Sequence, residues 1–304
     1  MNWVKEIGHD TPSKALLRET KVSYMRSPIH DEILAPRTFA ELMVCLEGIT
    51  WRSRHPGCWR GQADIDWPID CTAARRLKSS HQDLNGSQDC GASSLESWVR
   101  RYEDRLLQQA RMAGHGFLDG RRLSDLELLS VLRHYGAATR LMDFSRNVFV
   151  ALWFACRSHP RKYGLLACLD SNAVRTIKRE ETLEATVPQL LDKPPARERF
   201  FLWEPLHRFE RMRVQQSIFV FGKVKDKRWG TAPFELRSPS GDEGNGDLLL
   251  FAISPELKEG ALRTNWRALF GYDAKSLFPD ISGFGNYHAP TEDFESDFFG
   301  VEKT

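Results

Sequence analysis

The chain has 304 residues, of which 41% are hydrophobic and 28% charged, and its formal net charge is +2. That length and apolar content suffice for a sizeable core in one large domain or two small ones, and they exclude disorder throughout. There is no apolar run of about 18 residues, and the start "MNWVKEIGHD" lacks a basic stretch followed by a hydrophobic one. The expectation is a soluble cytoplasmic protein with no membrane partner.

The six cysteines are scattered without a CxxC pair, which predicts reduced thiols and neither a zinc site nor any other metal. The basic residues divide into 30 Arg and 13 Lys. Arginine's planar fork suits carboxylate and phosphate partners, although so balanced a total charge gives no support to a DNA-binding stripe.

In chain order, "TFAELMVCL" (Thr38 to Leu46) has apolar residues at helical spacing behind a Thr that can cap it. "CWRGQADIDWPI" suits a short strand running into a turn, and Ser79 to Ser94 reads as a polar, Gly/Ser-rich surface loop. "LESWVRRYEDRLLQQARMAGHG" places Leu95, Trp98, Tyr102, Leu106 and Ala110 near one helical face. "SDLELLSVLRHYG" predicts a second helix, with Ser124 as cap, Glu127 completing a capping box and Gly136 as the stop.

The stretch "AATRLMDF" reads as a linker, after which Ser145 or Asp143 caps an almost wholly apolar helix from about Asn147 to Cys156. Three compact apolar runs, Tyr163 to Asp170, Gln216 to Val224 and Asp247 to Ser254, are the expected strands of a central sheet. Between the first two lies a long segment with Pro188, Pro194, Pro195 and Pro205, expected to close over one face. Ser238 to Asp247 reads as a loop, and an acidic, aromatic tail ends the chain. The fold class that follows is α+β: a mixed central sheet with packed helices, one of them buried behind the polar block. The expected organisation is an extension over 1–34, one domain over 35–288 and a tail over 289–304.

Three short stretches carry chemistry. In "WRGQ", Arg60 can grip a phosphate, Gly61 lets a ligand come close and Gln62 adds a donor and an acceptor; the alternative is an arginine paired with a buried carboxylate. In "HYGAATRLMDFS", Asp143 can fix the loop by accepting from amides and from Arg140. His134 and Tyr135 can stack on or bond to a base or nicotinamide ring, or His134 can simply complement a helix dipole. In "RFERMRVQQSIFVFG", Arg208, Arg211 and Arg213 precede a strand whose edge brings Gln215 or Gln216 to a cleft, unless they form a solvated basic face. The chain has no GxxxxGK[ST], GxGxxG, HExxH or GxSxG, so nucleotide hydrolysis of the P-loop type, dinucleotide oxidoreduction and zinc proteolysis lose support.

These blocks resemble a known family. "WRGQ" followed by "CTAARRL" is similar to the opening (F/Y)RG signature and arginine segment of FRG-domain proteins. "RHYGAATRLMDFSRNVFVALWFAC" resembles their HYG-x-x-TRLLD block and following helix. "RMRVQQSIF" and "SLFPDISG" are similar to their later strand and closing slot, and Glu103 stands in an E-x-x-L-L pattern. Trp59, the pair Ala137 and Ala138, and Ser217 depart from the usual residues. The resemblance spans about residues 35 to 288 and implies a bacterial toxin-like or phage-defence setting more firmly than a reaction.

A second resemblance, of pattern alone, is to the Arg-Ser-Glu class of NAD-dependent ADP-ribosyltransferases. It implies NAD as the substrate-cofactor, held by Arg60, Gly61, Gln62, Thr139, Gln215 and Gln216. Arg140 is then a second clamp, His134 and Tyr135 cradle nicotinamide, and Glu103 or Glu210 is the carboxylate that steadies the developing cation, with Asp143 as a third choice. The acceptor is a nucleic acid or a protein, and an antitoxin or regulatory partner is expected. Two other functions remain open: an arginine-lined module that binds nucleic acid or another partner without chemistry, and a metal-independent nuclease with His134 as base. The tail, with Phe294, Phe298 and Phe299 among its acids, could plug an arginine cleft in cis or remain a solvated end.

Overall fold

A computed structural model describes residues 23–53, 57–82, 95–170, 174–192, 200–205, 209–232, 234–237, 246–261 and 271–288. Among them nine strands form one mixed sheet, in the order β1-β2-β11-β7-β3-β6-β10-β9-β8. The strands are β1 (Tyr24–Ser27), β2 (Asp31–Leu34), β3 (Cys58–Gln62), β6 (Met142–Ser145), β7 (Gly164–Leu169), β8 (Arg175–Thr176), β9 (Phe200–Trp203), β10 (Ser217–Gly222) and β11 (Leu248–Ile253). Most neighbours run antiparallel, while β2 with β11 and β8 with β9 run parallel. A separate hairpin joins β4 (Phe117–Leu118) to β5 (Arg121–Arg122). The α+β class with a mixed central sheet is what the sequence patterning predicts.

The helices around it are α1 (Phe39–Ser53), α2 (Thr72–Gln82), α3 (Leu95–Met112), α4 (Asp125–His134), α5 (Val148–Cys156), α6 (Arg179–Glu184), α7 (Val187–Asp192), α8 (Glu210–Val214), α9 (Pro255–Ala261), α10 (Ala274–Leu277) and α11 (Ile281–Tyr287). Helix α4 starts on the expected capping box: Ser124 Oγ accepts from the Glu127 amide and Glu127 Oε2 from the Ser124 amide. It stops at Gly136, whose φ of +91° suits a residue without a Cβ.

Three expectations are corrected. Ser79 to Gln82 belongs to α2 rather than to a loop, while 83–94 lies outside the described residues. "MDFS" is not linker but strand β6, held between β3 and β10. The cap of α5 is Asn147, whose Oδ1 accepts from the Phe149 amide; Ser145 Oγ instead accepts from the Asn147 amide one step earlier. The proline-rich excursion does put α7 over one face through Val187, Leu190 and Leu191, and it also supplies β9 to the sheet.

Strand alternation sorts the core. Met142, Phe144, Ile218, Val220, Leu165 and Ala167 face one continuous cluster. On the opposite face the apolar residues fall into two clusters. One lies over β9 and β10, with Phe201, Phe219 and Phe221 against α3, α4 and α7. The other lies over β3, β7 and β11, with Trp59, Leu166 and Phe251 against α1, α5 and α9. Burying both sets against helices is what removes their apolar surface from water, about 25 cal/mol per Å². Between them runs β6, whose outward residues on that face, Asp143 and Ser145, are polar.

Helix α5 sits on the sheet with almost no space between. A Cβ built on Gly61 of β3 would lie 1.7 Å from the Ala151 carbonyl oxygen, and one on Gly164 of β7 would lie 2.3 Å from that of Ala155. The two glycines let the helix backbone rest directly on two adjacent strands, as only residues without a side chain allow. Gly61 therefore answers to packing rather than to the close approach of a ligand.

Candidate functional site

The polar gap between the two clusters is a cleft of about 380 Å³. Its walls come from β3, the end of α4, β6, α5, the α8–β10 junction and Phe278. Strands β3 and β6 pair at a single position, Trp59 with Ser145, and then part, whereas β3 and β7 pair over five. Arg60 lies at the point of parting, where its Nη1 donates to the Asp143 carbonyl at 2.8 Å. Its Nε is 3.4 Å from Gln62 Oε1.

No carboxylate among the described residues pairs with Arg60. Burial pulls its pKa down to about 10, with Asp143 opposing that fall and the Arg133 and Arg75 charges adding to it. At neutral pH it is still a cation. The Asp143 carboxylate is taken by Arg133, which reaches it through Nε at 3.1 Å and Nη2 at 2.5 Å, while Arg133 Nη1 donates to Thr72 Oγ1. Thr72 Oγ1 also accepts from the Thr139 amide, which ties the start of α2 to the polar loop.

A second arginine group forms the far wall. Arg211 Nη2 donates to Asp280 Oδ1 at 2.6 Å and its guanidinium lies 4.8 Å from the Phe278 ring centre. Burial works against the Asp280 carboxylate, but Arg211 and the Gly283 amide outweigh it and hold its pKa below the usual range. His134 stacks on Phe209 at 4.3 Å and stands 3.9 Å from Asp280 Oδ2. Burial, with Arg211 adding to it, lowers the pKa of His134 against the opposing pull of Asp280, so the ring is neutral at pH 7.

The fourth arginine of the cleft, Arg157, follows the last turn of α5, where a cation also complements the helix dipole. It lies over Phe154 at 5.4 Å and Trp153 at 5.8 Å and has no carboxylate partner among the described residues. Burial alone lowers its pKa. The four arginines face one lining carboxylate, Asp143, with Asp280 behind Arg211.

Of the residues predicted for the site, Arg60, Gly61, His134, Asp143, Arg211 and Gln215 line this cleft. Gln215 Nε2 donates to the Leu277 carbonyl, and its own carbonyl accepts from Ser145 Oγ, so it pins β6 to the segment bearing Phe278. The rest lie elsewhere. Tyr135 is 69% exposed outside the walls, and Glu210 is exposed on α8. Gln62 is buried and donates to the Trp67 carbonyl. Thr139 is fully buried, and Gln216 takes the left-handed conformation (φ 46°) that turns the chain into β10. Arg208 and the tail lie outside the described residues.

Arg140 and Glu103 form a buried pair instead of a ligand clamp. Arg140 is 2% exposed, donates from Nε to Glu103 Oε2 at 2.5 Å and from its amide to Oε1 at 2.6 Å, and reaches Glu96 at 3.1 Å. Burial opposes its charge, yet Glu103 and Glu96 keep its pKa above the ordinary value. Glu96 in turn accepts from the Val224 amide and from Arg100. Sequence patterning does not single out Arg157, Phe154, Phe278 or Asp280. The one usable signal is that Arg157 is the first charge after nine apolar residues, and that Phe278 and Asp280 fall in the "LFPD" block.

The described cysteines are free thiols, and burial pushes that of Cys58 up to about 11. No helix among the described residues is long and apolar enough to cross a membrane. No curated protein and no solved structure matches the chain. Residues 55–163 match the family model of the FRG domain, which takes in the "WRGQ" strand, α2, α3, α4, β6 and α5; the "RMRVQQSIF" and "SLFPDISG" blocks lie beyond it. Residues 55–163 thus correspond to the FRG domain, and that stretch supplies Arg60, Arg133, His134, Asp143 and Arg157 to the cleft.

Proposed function

We propose that the cleft binds NAD and that the protein transfers its ADP-ribose to a macromolecular acceptor, as a toxin or phage-defence effector restrained by a partner would. The observation that carries this reading is the pair Arg60 and Arg157: two guanidiniums without a carboxylate partner among the described residues, on one cleft walled by Trp59, Phe154 and Phe278. Two such cations suit the two charges of a diphosphate, and aromatic walls suit a planar ring. The volume falls within the range of small-molecule sites, about 300–1,000 Å³.

In the reaction the bond between the ribose anomeric carbon and the nicotinamide nitrogen breaks, and nicotinamide leaves with the bonding pair. The acceptor's nucleophile then bonds to the anomeric carbon and gives up its proton. Asp143 is the lining carboxylate that would stabilise the oxocarbenium-like centre, with Arg133 fixing its orientation. His134, on the cleft wall and neutral, would accept the proton. Glu103 is unsuited to the carboxylate role because it is buried with Arg140 away from the cleft walls, which Asp143 lines.

Calorimetry of NAD against the wild-type chain, Arg60→Gln and Arg157→Gln, with mass spectrometry for nicotinamide, tests this. Wild type should bind and release nicotinamide, and each variant should lose about tenfold in affinity, roughly 1.4 kcal/mol. Wild-type protein that binds neither NAD nor ADP-ribose would end the proposal. His134 on one cleft with Arg60 and Arg133 supports a second reading, a metal-independent nuclease; cleavage of an oligonucleotide in chelator, lost in His134→Ala, would establish that instead.

A further inference from the structure

Helices α2 and α3 pack against each other and carry their charges on two distinct sides. On the inner side, Glu96 and Glu103 of α3 turn to Arg140, and Arg100 and Arg111 are paired with Asp192 and Asp125. On the outer side, Arg75, Arg76, Arg101 and Arg105 are exposed and pair with no carboxylate among the described residues. Helix α2 contains no acidic residue at all, and Asp104 is the one exposed acid of α3.

Two of these guanidiniums lie on aromatic rings: Arg76 is 5.6 Å from the Tyr102 ring centre and Arg101 is 5.2 Å from that of Trp98. A guanidinium resting over a ring is backed by it and keeps N–H donors for phosphate. Arg105 stands one turn beyond Arg101, about 6 Å along the helix. At the other end, Arg75 is close enough to Arg60 for its charge to oppose that of Arg60. The unpaired arginines therefore run from the outer face of α3 across α2, whose first residue, Thr72, accepts a hydrogen bond from Arg133 of the cleft wall.

We infer that this face is a track for a single polynucleotide strand and that the strand is the acceptor delivered to the cleft. The inference rests on the NAD reading for the word acceptor, but the track itself is a separate surface with its own measurement. Stacking combined with unpaired cations is the pattern that single strands use, whereas duplex shape recognition would need no ring-backed arginines. The near-zero total charge conceals this because the opposing charges are segregated by side rather than mixed.

The test is fluorescence anisotropy of a labelled single-stranded oligonucleotide, DNA and RNA in turn, against wild type and the triple variant Arg76→Gln/Arg101→Gln/Arg105→Gln. NAD cleavage without oligonucleotide is followed in parallel. Wild type should bind with an affinity that falls steeply with salt. The variant should bind at least tenfold more weakly, with a log–log salt slope shallower by about 2, as expected for three lost phosphate contacts at about 0.7 each. Its NAD cleavage and urea midpoint should be unchanged. Absence of oligonucleotide binding by wild type at low salt, equal binding by the variant, or equal competition by polyglutamate, which would mark an acidic protein as the partner, overturns the track. Binding lost in the variant with no NAD cleavage by wild type leaves the track standing and removes the NAD reading.

Discussion

In the buried hub, Arg140 meets Glu103, Glu96 and the Gly222 carbonyl and is sealed from water; in the cleft, Arg60 and Arg157 carry the same charge and meet no carboxylate among the described residues. The hub comes from one polar loop joined to α3, and the cleft from the parting of β3 and β6. A buried charge without a partner costs several kcal/mol, so the hub is tolerable only because it is complete. The cleft cations keep contact with solvent, which supplies what the fold does not. An arginine committed to the fold and one kept for a ligand differ in the company their surroundings provide.

The largest way to break this contrast is Arg140→Ala, which strands Glu103 inside the protein. It should cost about 3–5 kcal/mol, read as a fall in the urea midpoint, and Arg140→Met with Glu103→Leu should recover most of that loss. A double variant as unstable as the single one would mean that the pair does more than neutralise itself.

His30 extends the comparison to a buried ionisable group with no acid touching it. Its Nε2 lies 3.1 Å from the Ile65 carbonyl, and burial, with that carbonyl opposing, lowers its pKa from 6.5 to about 4. Because the folded pKa lies below the unfolded one, the unfolded chain binds the proton first. The stabilisation is complete above about pH 6.5 and is lost as pH falls toward 4, by up to about 3 kcal/mol. Urea midpoints measured across that window should fall in wild type and stay flatter in His30→Gln.

The smallest effect lies on the cleft side. Arg157→Gln should leave stability within about 0.5 kcal/mol, because a cation over two aromatic rings at the surface contributes little to folding. A large loss on that substitution would place Arg157 with Arg140, among the residues that hold the fold together.

The elements legible in the sequence are those with strong local signals. The capping box and Gly136 bound α4, the apolar run from Val148 to Cys156 is α5, and the compact runs give β7, β10 and β11. Strand β6 was illegible because its alternation, Met142 and Phe144 against Asp143 and Ser145, lasts only four residues; it is held as a strand by β3 and β10 on either side. The cap of α5 fell to Asn147 rather than to Ser145 or Asp143 because the helix begins at Val148, Ser145 Oγ accepts from the Asn147 amide ahead of it and Asp143 is paired with Arg133. The candidate site was half legible. Arg60, Gly61, His134, Asp143, Arg211 and Gln215 reach the cleft, whereas Arg140 and Glu103, the same residue types in similar patterns, find each other first.

By itself the sequence determined the α+β class, the main helices, three central strands and the FRG blocks, since these follow from periodicity, capping and local motif over a few residues. Only the tertiary structure decided which arginines are paired and which are open, that Gly61 and Gly164 serve the backbone of α5, and that the basic face of α2 and α3 joins the cleft wall through Thr72 and Arg133. The physical reason is that a charge is satisfied by whatever stands within a few ångströms of it. Residues 37 positions apart, such as Glu103 and Arg140, become neighbours only when the chain has folded.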